Sequence, residues 1–149
     1  MPDSSTAPAP TNTGLGRVLI LVYAVFALSA TGRSTVQLVQ KADDAPLAYA
    51  LSAFAAAVYI MATYCLAKPG PRTTRLAWVA VSVELVGVLV IGTLSIVEPS
   101  WFPDDTVWSD FGSGYGWVPL VLPFLGLAWL FRTARPRAAG AVSGTPTRP

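Results

Sequence analysis

From Arg75 to Val97 the chain runs through Val, Leu, Ile, Ala and Gly with a single carboxylate, Glu84, near the middle. A helix needs about 20 apolar residues to cross roughly 30 Å of hydrocarbon, so this run is long enough to span a membrane and must carry its acid inside. Arg75 and Trp78 stand at one end as interfacial anchors, and Glu98-Pro99 stops the helix at the other. Whatever else the chain does, it has to accommodate that carboxyl group in a medium that solvates charge poorly.

Hydrophobic residues make up 53% of the 149 positions and charged residues only 12%, a balance that suits a bilayer better than water. Three further apolar runs predict spans at about 15–40, 46–67 and 117–132 beside 75–97, which makes an all-α, four-helix transmembrane bundle of up-down-up-down order. The membrane domain is 15–132. The flanking segments 1–14 and 133–149 are Pro, Ser, Thr and Ala without apolar periodicity and read as disordered tails. The first span has an alternative: Ala27-Leu-Ser-Ala30 has the small-residue spacing of a signal-peptidase site, although the apolar pattern continues through Val36, Leu38 and Val39. In the second span, Ser52/Ala56 and Ala53/Ala57 offer small residues for close helix packing, with Tyr49 and Tyr64 at its two interfaces. Pro119 and Pro123 predict a bend in the fourth.

Of the ten Lys and Arg residues, eight fall in the amino-terminal flank, the 68–75 loop and the carboxyl-terminal tail; only Arg33 and Lys41 fall elsewhere. The positive-inside rule therefore places both termini and the 68–75 loop in the cytoplasm, and the chain in the cell membrane as a multi-pass protein. The 98–116 connection then lies outside. Its Trp101, Phe102, Trp108, Phe111 and Tyr115 alternate with Asp104, Asp105 and Asp110, a pattern expected to lie along the membrane surface with rings at headgroup level.

A net charge of +2 with scattered basic residues excludes a nucleic-acid partner. With no histidine there is no Cys/His metal site and no Ser/His/Asp set, and the lone Cys65 reads as a small packing residue. The loop aspartates match no calcium-loop spacing, and the glycines at 112, 114 and 116 are no phosphate loop, so neither a metal nor a cofactor is expected. Four residues stand out as functional or structural candidates: Glu84, Arg33, Asp110 and Trp108. Glu84 shares a helical face with Ala80, Gly87, Ile91 and Ser95 and so points into the bundle. There it is a structural acid bonded to groups such as Tyr23, Ser29 or Tyr59, a coupling residue of a transporter, or a contact with another membrane protein. Arg33, higher on the first span, is expected to turn outward to acids and carbonyls of the outer loops, Asp43, Asp44 or Asp110 among them, rather than pair with Glu84.

The runs Ala45-Pro-Leu-Ala-Tyr-Ala-Leu-Ser-Ala53, Val83-Glu-Leu-Val-Gly-Val88 and Thr106-Val-Trp-Ser-Asp-Phe-Gly-Ser-Gly-Tyr-Gly-Trp-Val-Pro-Leu120 together resemble a family of small four-span integral membrane proteins of actinobacteria. That resemblance implies fold and membrane location and carries no chemistry. The expectation is a non-enzymatic accessory or scaffolding subunit of a membrane or envelope complex, its partner another membrane protein or further copies of itself. The alternative is a small oligomeric proton- or cation-coupled transporter using Glu84.

Overall fold

A computed structural model describes residues 13–40, 44–68 and 70–134. Among the described residues there are four α-helices: α1 (Thr13–Gln40), α2 (Pro46–Ala67), α3 (Pro71–Val97) and α4 (Val118–Ala134). In hydrocarbon the backbone has to satisfy its own hydrogen bonds, which leaves helices as the form these apolar runs can take. Each of α1, α2 and α3 is long and apolar enough to span; α4 reaches that length together with the 3₁₀ turn Ser109–Tyr115, which meets it at 99°. The chain is therefore a multi-pass integral membrane protein built as a helical bundle.

Helices consecutive in the chain lie side by side, α1 on α2, α2 on α3 and α3 on α4, while the α1–α4 seam is sparsely packed. The expected packing hub on α2 is present but rotated. Ala48, Ser52, Ala55, Ala56 and Ala62 are buried, whereas Ala57 faces outward, so the Ser52/Ala56 pair packs and the Ala53/Ala57 pair does not. Hydroxyls on the spans mostly bond back to their own helix, as Thr31 does to the Ala27 carbonyl at 2.6 Å and Thr63 to that of Tyr59 at 2.7 Å.

Several boundaries differ from the sequence reading. α3 starts at Pro71 rather than near 75, because proline at the first helical position starts a helix where the Pro-Gly-Pro run had suggested only a break. The sharp turn before α4 falls at Gly116 and Trp117, which have φ of 63° and 57°, and α4 continues through Pro123. Of the two segments read as tails, 13–14 and 133–134 are helical; the rest of both lies outside the described residues, as do Lys41 and Asp43. Tyr64 is exposed with the Lys68 ammonium 5.1 Å from its ring centroid, but Tyr49 is buried beneath the 98–116 connection rather than at an open interface.

Candidate functional site

Glu84 is the midpoint of Pro71–Val97, about 20 Å from either end at 1.5 Å per residue, and it is fully buried. Tyr23, from α1 across the bundle, donates its hydroxyl to Glu84 Oε2 at 2.7 Å. The other carboxyl oxygen, Oε1, is buried without a partner. Room for the tyrosine comes from α4: a Cβ at Gly126 would lie 3.0 Å from the Tyr23 oxygen and 3.1 Å from a Val81 methyl. Of the three partners proposed for Glu84, Tyr23 is the one bonded to it; Ser29 is exposed, and the Tyr59 hydroxyl is engaged elsewhere.

That engagement comes from the 98–116 connection, which does not lie along the surface as its composition suggested. Trp108 is 1% exposed, and its indole N–H donates to the Tyr59 hydroxyl at 3.1 Å. Its ring covers Gly87, where a Cβ would meet Trp108 Cζ3 at 2.6 Å; Gly87 is ten residues from the end of α3, so the ring reaches about 15 Å below that end. Thr106, Val107, Ser109 and Phe102 are buried with it. Irregular backbone at such depth is tolerated only when sheltered and satisfied. The hairpin around Trp108 does this internally: Thr106 N–H donates to Ser109 Oγ at 2.9 Å, and Trp108 N–H to Thr106 Oγ1 at 3.1 Å. Trp101 of this connection and Trp117 just after it, at 55% and 56% exposure, are left outside.

The next turn seats the connection on α3. Asp110, Phe111 and Gly112 have φ of 49°, 58° and 77°, three successive left-handed residues. Non-glycine residues there cost about 1–2 kcal/mol each, so surrounding contacts have to hold them. Asp110 donates its backbone N–H to Ser95 Oγ at 2.8 Å, and Phe111 lies over Gly92, where a Cβ would come within 2.6 Å of its ring. Asp110 thus acts through its backbone, its side chain being exposed.

Arg33 is turned to the same connection. Its Nη2 donates to the Asp105 carbonyl at 2.7 Å and its Nη1 to the Tyr115 hydroxyl at 3.3 Å. Next to it in sequence, Asp104 accepts at Oδ2 from the Tyr49 hydroxyl at 2.5 Å. Tyr115, Phe26, Tyr59 and Tyr23 then form a continuous aromatic ladder, with centroid spacings of 5.8, 5.6 and 6.2 Å, from Arg33 down to Glu84. Among the described residues no group of three His, Cys, Asp or Glu side chains is arranged to hold a metal ion.

The four candidate residues therefore belong to one construction: a membrane-buried acid, and a cap at one end of the bundle pinned by Trp108, Arg33 and the Asp110 backbone. Sequence reasoning missed the penetration of Trp108 and the glycine seats at 87, 92 and 126. A glycine one turn from a buried acid, on the same face, was the available signal. No protein-family model, curated protein or solved structure matches the chain.

Proposed function

We propose that this protein is a non-enzymatic accessory or scaffolding component of a membrane complex, with its capped outer end as the contact surface. The observation that carries this reading is the insertion of Trp108 onto Tyr59 of α2 and Gly87 of α3, which together with the bonds from Arg33 of α1 fastens an otherwise irregular connection to three of the four helices. Such a cap is preorganised, so a partner would not have to order it on binding. It presents Trp101 and Trp117 as exposed aromatic anchors, the residue type that dominates binding energy at protein interfaces. The 106–120 run, the most specific part of the likeness to actinobacterial four-span proteins, is the segment that builds it.

Photo-crosslinkers placed at Trp101 and Trp117, in cells expressing the full chain, test this reading against a crosslinker at lipid-facing Val25. The reading requires a discrete adduct from the cap positions, absent at Val25, that persists in Glu84→Gln. The unpartnered Oε1 of Glu84 favours a second reading, ion coupling, because a buried oxygen with a free lone pair is a place for a proton or cation. Under that reading Glu84→Gln abolishes transport in reconstituted vesicles while the fold survives.

A further inference from the structure

The end of the bundle opposite the cap contains a cleft of about 470 Å³ along the sparsely packed α1–α4 seam. Ile20, Leu66 and Leu130 form its apolar wall, Gly16 and Trp129 flank the seam, and Arg17 and Thr133 stand at its mouth. Its volume lies within the range of about 300–1,000 Å³ typical of small-molecule sites.

Two independent observations indicate what it takes. First, charge is segregated along the bundle: Arg17, Lys68, Arg72, Arg75 and Arg132 gather at this end, while every acid among the described residues lies at mid-membrane or at the capped end. Among the described residues the mouth therefore has cations and no carboxylate to neutralise them. Second, Trp129 Nε1 is a buried donor without an acceptor, on an indole packed so closely on Gly16 that a Cβ there would sit 3.2 Å from that nitrogen. A ligand with an apolar tail, an oxygen acceptor just below its head and a negative head meets all three demands. We propose that the cleft holds one acyl chain of an anionic phospholipid from the adjoining leaflet, its phosphate on Arg17 and an ester oxygen within reach of Trp129.

The test is a titration of the full chain, purified in non-ionic detergent, with dioleoyl phosphatidylglycerol, dioleoyl phosphatidylcholine or inorganic phosphate, bound molecules being counted by native mass spectrometry. The wild type is expected to retain one phosphatidylglycerol at least about fivefold more tightly than phosphatidylcholine, the factor that one Arg near an anionic surface contributes. Arg17→Gln should remove that preference, and Arg72→Gln, at the same end but outside the cleft, should keep it. Thr133→Trp, at an exposed position where folding is undisturbed, should block retention by filling the mouth. Equal binding of the two lipids, equal loss in Arg17→Gln and Arg72→Gln, retention in Thr133→Trp, or full competition by inorganic phosphate would each overturn the proposal.

Discussion

Gly87 lies directly beneath Trp108, so close that a methyl group on its Cα would stand 2.6 Å from the indole ring. This contact joins a connection, read from sequence as superficial, to the helix that carries the buried acid. Gly87→Ala should force the ring to shift and cost about 1–3 kcal/mol, the usual range for overpacking a tight contact. Measured by unfolding in mixed micelles, the penalty should largely disappear in a Trp108→Leu background, because neighbouring substitutions that share a contact are coupled. An unchanged penalty in that background would mean that the ring is not what the methyl meets.

The bond from Tyr23 to Glu84 makes the acid a tie between helices on opposite sides of the bundle. Glu84→Gln keeps an oxygen for the tyrosine and should cost about 1 kcal/mol or less, whereas Glu84→Leu strands a buried hydroxyl and should cost about 1–3 kcal/mol. Tyr23→Phe should resemble the leucine variant. Thermal unfolding of the four proteins in one detergent orders them, and a leucine variant as stable as the wild type would remove the tie from the account.

The distribution of charge predicts which end faces which compartment. In a Cys65→Ser background, a cysteine at Ser113 should react with an impermeant thiol reagent added to intact cells, and one at Thr73 only after permeabilisation. The arrangement of helices is the same either way up, so only labelling distinguishes them. Reaction of the Thr73 cysteine in intact cells would invert the topology.

Four apolar helices and a buried acid were readable because hydropathy and the bilayer leave a chain so few choices. The direction of Arg33 was readable for a similar reason, since an arginine near the end of a span gains most from the polar groups of the connections there, but its partners are the Asp105 carbonyl and the Tyr115 hydroxyl rather than Asp44 or Asp110. Trp108 was not readable from composition, since a tryptophan among aspartates and glycines is equally suited to the headgroup belt. Its position depends on a notch in another helix at Gly87 and on a hydroxyl of a third at Tyr59, and neither relation is local in sequence. The start of α3 was misplaced for the opposite reason. Pro71 can end one element or begin the next, and only packing decides which.

If the cap is fastened by insertion, the bond from Trp108 to Tyr59 has to contribute to stability as a pair. A double-mutant cycle with Trp108→Phe and Tyr59→Phe, read by unfolding in mixed micelles, isolates that contribution from the packing of either ring. The predicted coupling is about 0.5–1.5 kcal/mol, the net value of one buried hydrogen bond. Strictly additive effects would contradict the account and leave Trp108 as an unattached aromatic at the membrane surface.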